Sequence, residues 1–362
     1  MLLHEASRNL FARPADEHFP SFEALQDESL RIFHESSEFA SDPRKMSFQN
    51  RDGLRVLLAD DRSFVLTNYS LGQIAASCRV PMGLLERLDP STTVQVLNET
   101  WPRGEMSERQ VLVQGDTLRA LTSTSYTRLW DWEILQEVDR WLLPRGFIPA
   151  VPTMNAPGGV NLMGNEKPAL FRGDRDSFSF FYSDQLPGDD GLGGMRKGIF
   201  VWNSEVGARA FGWSTFYFRE VCGNFLVWDV RDVKERRAIH KGDQLRKTWW
   251  KDFRLELIDA SSEIEQRELD VFDKAAITPF VGDGSPTDAN QELAVDRLQR
   301  QFRVPARMGR GFIDAAMLPE NPGDLSIWGV VNGITSAAKD MGFAGGMADT
   351  SALAGKVLQA GA

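Results

Sequence analysis

The pattern that most constrains the fold is a change of periodicity near residue 243. Between residues 177 and 227 the sequence is strand-like: Phe178, Phe180 and Tyr182 recur at every second position, and later runs are rich in aromatic and β-branched residues. From residue 244 onward, apolar residues recur at helical spacing. Together the two patterns predict an α+β fold, in which helices pack on a central antiparallel sheet and the C-terminal third is helical.

Shorter patterns on both sides of this sheet suggest how the chain is divided. Residues 21–37 predict a helix capped by Ser21, and two runs joined at Gly115 predict a hairpin. A long helix is expected from residue 244 to about residue 276. The expected parts are an N-terminal helical segment (1–45), an α+β core with the central sheet (46–243), a helical region packing on the core (244–340) and a weakly packed Ala/Gly-rich tail (341–362).

Composition limits the classes of protein to consider. Hydrophobic residues make up 42% of the 362 residues, which is enough for a large core. The apolar runs are far shorter than the roughly 20 residues of a membrane helix, and no secretory signal is visible, so a cytoplasmic location without a membrane partner is expected. The few cysteines and histidines lack metal-binding spacing, so we expect neither a metal nor a cofactor. A net charge of −10 argues against coating duplex DNA by charge alone.

A locally basic segment, residues 231–254, stands out against this acidic background. It carries nine Lys or Arg and four acidic residues, with aromatic residues among them. Such a mixture is typical of single-strand nucleic-acid grooves, where rings stack on bases and cations contact phosphates. The candidate nucleic-acid-binding residues are Arg236, Arg237, Arg246, Lys247, Trp249, Trp250, Lys251 and Arg254. The alternative is an amphipathic helix whose aromatic face is core and whose basic face is solvated.

A family resemblance rests on two neighbouring motifs. GIFVWNSEVG at residues 198–207 and FYFREVCGN at residues 216–224 resemble the phage- and plasmid-borne domain-of-unknown-function family 932. The similarity extends over roughly residues 50 to 340 and includes segments 118–126 and 326–335. Gly223 departs from the family pattern, which has Ser or Thr before the Asn. The resemblance implies a gene carried by mobile elements, with no established activity.

The same motifs contain a candidate polar cluster. It consists of Asn203, Ser204, Glu205, Arg219 and Asn224. If the two strands pair, Glu205 and Arg219 are expected within salt-bridge distance at one end of the sheet. The cluster is then either a ligand site or a buried salt bridge with amide caps that fix the turn.

Three functions are compatible with these patterns. The leading hypothesis is a phage- or plasmid-type accessory protein that binds nucleic acid, single-stranded DNA during recombination or replication. The second is an enzyme acting on a nucleotide or small molecule, with Glu205 and Arg219 as its polar pair and residues 188–198 as a lid. The third is an interaction protein that counters a host defence protein through an acidic surface. The sequence leaves catalysis, substrate and oligomeric state open.

Overall fold

The computed structural model confirms an α+β fold with a helical C-terminal part. It describes residues 13–104, 107–150, 155–156, 160–161, 168–183, 195–219, 236–238, 244–260, 266–319, 321–338 and 344–361. The helices are α1 (Phe22–Glu35), α2 (Asn68–Ser77), α3 (Met82–Leu85), α4 (Pro90–Thr100), α5 (Asp131–Trp141), α6 (Gln244–Ala260), α7 (Gln266–Ile277), α8 (Asp288–Phe302), α9 (Ala306–Ala316), α10 (Ile327–Ala338) and α11 (Ala344–Gly361). In the part of the chain that the structure describes, no helix is long and apolar enough to cross a membrane.

Twelve of the described strands form two large sheets, where the sequence predicts one central sheet, and β8 pairs with β9 in a small separate sheet. In chain order they are β1 (Ser36–Ser41), β2 (Ser47–Asn50), β3 (Leu54–Leu57), β4 (Ser63–Leu66), β5 (Arg109–Gln114), β6 (Thr117–Ser123), β7 (Phe147–Pro149), β8 (Asn155–Ala156), β9 (Val160–Asn161), β10 (Leu170–Arg172), β11 (Ser177–Ser183), β12 (Met195–Asn203), β13 (Phe211–Arg219) and β14 (Arg236–Ala238). The first sheet has the order β1-β5-β6-β4-β3-β2, and only its β4–β6 pair is parallel. The second sheet is antiparallel, with the order β10-β11-β12-β13-β14 and with β7 paired to β11.

An irregularity in the β5–β6 hairpin positions the side chain of Arg119. The hairpin turns at Gly115, whose φ of +53° is a conformation that glycine adopts without strain. Leu112 pairs with Ala120 and Val113 with Leu118, so Arg119 is an extra residue on its strand. A β-bulge of this kind redirects the side chain it contains.

Each sheet buries one face against its own helices. The first sheet packs on α2, α3 and α4, through buried residues that include Val111, Val113, Ile74, Leu97 and Trp101. The second sheet packs on α1, α5 and α6, through buried residues that include Leu25, Val138, Phe181, Ile199, Trp213 and Phe253. The helix α6 therefore belongs to the core of the second sheet.

The C-terminal helices form a separate core, which changes the expected division of the chain. Buried residues from 271 to 358 in α7–α11 and their connections pack on one another. The tail was expected to pack weakly, but Ala354, Val357 and Leu358 in α11 are buried in this core. In the structure the packing of the chain thus changes between α6 and α7, and the last helix is part of the C-terminal unit.

Candidate functional site

A buried carboxylate connects the two sheets. Glu205 follows β12 and is 2% exposed. Its Oε2 accepts hydrogen bonds from Nη2 of Arg119 (2.7 Å) and from Nη2 of Arg172 (2.8 Å). Because Arg119 lies in β6 and Arg172 in β10, one side chain holds an arginine from each sheet.

Asp131, at the start of α5, completes this set. Its Oδ2 accepts from Nε of Arg172 (3.2 Å), and its Oδ1 accepts from Oγ of Ser177 (2.7 Å) and Nδ2 of Asn203 (2.8 Å). The backbone N–H of Asp131 donates to Oε1 of Glu205 (3.0 Å). We call Arg119, Asp131, Arg172 and Glu205 the buried ion cluster, and its two arginines and two carboxylates balance in charge when all are ionised.

The two carboxyl groups of the cluster titrate differently. Burial, together with the charge of Glu205, raises the pKa of Asp131 to about 6. Burial also acts to raise the pKa of Glu205, but the guanidinium groups of Arg172 and Arg119 outweigh it and hold that pKa below its usual value. Glu205 is therefore the stably ionised member between the two arginines.

The connection between β6 and α5 adds further contacts between the sheets. The hydroxyl of Tyr126 donates to the carbonyl of Ser204 (2.9 Å). Nε of Arg128, which is 4% exposed, donates to Oε1 of Glu38 on β1 (2.6 Å). Arg128, Ser204 and the buried ion cluster are buried, which favours a structural role in joining the sheets.

Three residues of the predicted polar cluster, Asn203, Ser204 and Glu205, are consecutive in the chain and buried. Nδ2 of Asn203 also donates to the carbonyl of Leu129 (2.9 Å). Oγ of Ser204 donates to the carbonyl of Arg175 (2.6 Å) and accepts from the N–H of Ala208 (2.9 Å). The motif therefore fixes the end of β12 and the following turn.

The predicted pair between Glu205 and Arg219 is wrong. In the β12–β13 register, Trp202 is opposite Gly212, whereas Arg219 is opposite Met195 at the other end of the hairpin. Seven residues of strand, at about 3.3 Å each, separate the two ends by roughly 20 Å. Glu205 is next to the turn, so its neighbours on β13 come from the start of that strand.

Two other elements of the sequence hypotheses cannot be placed. Asn224 lies outside the described residues, as does the stretch 184–194, which contains most of the expected lid. The enzyme hypothesis thereby loses its polar pair, and its lid falls largely outside the described part of the chain.

The aromatic residues of the basic segment pack on the second sheet. The ring of Trp249 lies edge-on to Trp213, with 5.4 Å between centroids, and Trp250 lies 6.2 Å from Phe211. Phe253 is fully buried against both sheet residues. These aromatic residues therefore belong to the core-facing side of an amphipathic helix, which was the alternative interpretation of the segment. Their rings pack on the sheet and are not free to stack on bases.

The basic residues of the segment fall on two elements. Arg236 and Arg237 lie in the edge strand β14, and Arg246 and Lys247 lie in the first turns of α6. Lys251 is exposed. Nη2 of Arg254 donates to Oε1 of Glu137 on α5 (2.6 Å), while its side chain stays 43% exposed.

A cleft of about 900 Å³ lies beside the buried ion cluster. Its walls are α2, the segment 172–175 and a short 3₁₀ helix, Ala15–Glu17. Arg172 lines the cleft and also belongs to the buried ion cluster. The guanidinium carbon of Arg175 lies 5.8 Å from the ring centroid of Tyr69, within cation–π range.

The cleft is held in shape by contacts between its walls. Oδ2 of Asp174 accepts from the N–H of Tyr69 at the start of α2 (3.2 Å). Gln73 of α2 exchanges two hydrogen bonds with the backbone of Leu121 on β6 (2.9 and 3.2 Å). Gly173 lies against the carboxylate of Glu17, which would have to shift to admit a Cβ at this position.

No family model, curated protein or solved structure matches the chain. The resemblance to family 932 therefore stays a prediction. Among the described residues, no group of three or more His, Cys, Asp or Glu side chains is arranged to hold a metal ion. Function has to be inferred from the chemistry of the residues themselves.

Sequence reasoning missed the arginines of the buried ion cluster. Arg119 interrupts the apolar run of β6, and Arg172 ends the run Ala-Leu-Phe before a glycine. A charged residue within a strand whose other residues are apolar indicates a buried ion pair, because a buried charge requires a partner. The identity of that partner was not available, since Glu205 is 86 and 33 residues away.

Proposed function

We propose that the protein binds single-stranded nucleic acid along a basic edge of the second sheet. The basic edge comprises Arg236, Arg237, Arg246, Lys247, Lys251 and Arg254. The resemblance to family 932 suggests the setting, an accessory role in phage or plasmid recombination or replication.

One observation supports the proposal more than any other. Arg236 in β14 is opposite Trp213 in β13, and the ring of Trp213 contacts Trp249 in α6. Two basic segments that are separate in sequence are therefore both neighbours of β13, one as the adjacent strand and one as a packed helix. A row of cations on neighbouring elements is what a phosphate backbone requires.

The packing of the aromatic rings changes the expected mode of binding. Because Trp249, Trp250 and Phe253 contact the sheet, the affinity should come from phosphate contacts rather than from base stacking. Binding should then depend steeply on salt and little on base sequence. Arg254 is expected to contribute less than Lys251, because Glu137 already neutralises it.

Fluorescence anisotropy with a labelled single-stranded oligonucleotide, titrated over a range of salt concentrations, tests the proposal. The double variant Arg246→Glu with Lys247→Glu should bind more weakly, and its slope of log affinity against log salt should fall by about 0.7 for each lost phosphate contact.

A matched control is Arg300→Glu with Arg307→Glu, which makes the same charge change at exposed positions of α8 and α9. This control should keep the wild-type slope. Absence of binding at low salt, or an equal effect of both double variants, would show that the basic edge is only a solvated surface.

A further inference from the structure

The cleft beside the buried ion cluster contains polar groups that the fold does not use. Arg175 is exposed and has no ion pair among the described residues; its guanidinium lies only against Tyr69. Asp16 is exposed and lines the same cleft. By contrast, Arg172 is held by Glu205 and Asp131. The groups open to a ligand therefore include a planar cation, a carboxylate and an aromatic ring.

These groups define a recognisable ligand chemistry. A flat heterocycle can stack on a tyrosine ring or on a guanidinium plane. A carboxylate selects rings that carry N–H donors, as when Asp or Glu accepts from the amino group of cytosine. The exposed amide of Asn68 lines the same cleft and can donate and accept at the edge of a base.

The dimensions and rigidity of the cleft fit one small molecule. Its volume of about 900 Å³ lies within the roughly 300 to 1,000 Å³ of small-molecule sites. Tyr69 is fixed at the start of α2 by Asp174, and α2 is fixed on β6 by Gln73. The walls are therefore formed before any ligand enters, which lowers the entropy cost of binding.

We propose that this cleft binds a nucleoside whose base carries an exocyclic amino group. The base stacks on the surface that Tyr69 and Arg175 form together, and its amino group donates to Asp16. The site is separate from the basic edge and does not depend on nucleic-acid binding there.

Isothermal titration calorimetry of the full chain with adenosine, cytidine, guanosine and uridine tests this proposal. At least one of the three amino-bearing nucleosides should bind, and uridine, which lacks the amino group, should bind at least about tenfold more weakly. No binding of any of the three at millimolar concentration would overturn the proposal. Equal affinity for uridine would overturn the role given to the amino group.

Variants locate the site. Tyr69→Leu and Arg175→Ala should each weaken binding by about tenfold or more, since each removes one stacking partner. Arg300→Ala, on α8, should bind like wild type, and so should the double variant of Arg246 and Lys247. Unchanged nucleoside affinity in Arg175→Ala would overturn the assignment. Because Arg175 is exposed, this variant tests the site even if Tyr69→Leu does not fold.

Discussion

Replacing Glu205 with glutamine tests whether the buried ion cluster holds the two sheets together. The side chain of Glu205 is 1% exposed, and those of Arg119 and Arg172 are 7% and 6% exposed. Glutamine keeps the shape but removes the charge, so the two buried arginines are left with Asp131 as the only carboxylate of the cluster. Breaking a buried pair in this way typically costs about 3 to 5 kcal/mol.

A comparison within the same chain separates burial from simple loss of an ion pair. Glu292 on α8 pairs with Arg310 on α9, and their side chains are 62% and 58% exposed. Glu292→Gln makes the same chemical change and should cost little stability, because solvent screens an exposed pair.

The free energies of unfolding are measured by urea denaturation, followed by both tryptophan fluorescence and circular dichroism. Coincident transitions would justify a two-state treatment. If Glu205→Gln loses no more stability than Glu292→Gln, the cluster does not hold the sheets together.

Further predictions concern packing and pH. Phe253→Ala should cost about 3 to 5 kcal/mol in denaturant unfolding, because the ring is fully buried. Gly333→Ala should lower the melting temperature, because its Cβ would collide with the backbone of Phe312 on α9; Gly311→Ala, with open space around it, should raise it slightly. Burial raises the folded-state pKa of Asp131 to about 6, so the unfolded chain releases this proton first as pH rises. Wild type should therefore lose stability between about pH 4 and pH 6, relative to Asp131→Asn measured in the same buffers.

Local signals were sufficient for the elements that depend on neighbouring residues. Ser21 accepts a hydrogen bond from the N–H of Ala24 (3.1 Å) and caps α1, as its position before the apolar stripe predicted. The hairpin at Gly115 and the helical character of residues 244–260 are likewise confirmed. Caps, tight turns and helical periodicity are set within a few residues, so the sequence alone reveals them.

Long-range partners were beyond such reasoning. Glu205 and Arg219 lie on or beside neighbouring strands, but this does not make the two residues neighbours. In an antiparallel hairpin, only positions equally far from the turn are opposite each other. The true partners, Arg119 and Arg172, come from a bulge in one sheet and an edge strand of the other. The amphipathic pattern predicts the helix α6. Whether Trp249 faces the core or the solvent depends on the sheet that packs against this helix.

The measurement that tests the functional account most directly is ultraviolet crosslinking of a single-stranded oligonucleotide, followed by mass spectrometry of the crosslinked peptides. The account predicts crosslinks in peptides that contain residues 236–238 and 244–254, the two elements of the basic edge, and their loss at high salt. Crosslinks confined to other parts of the chain, such as the cleft peptides around Tyr69 and Arg175, would contradict it.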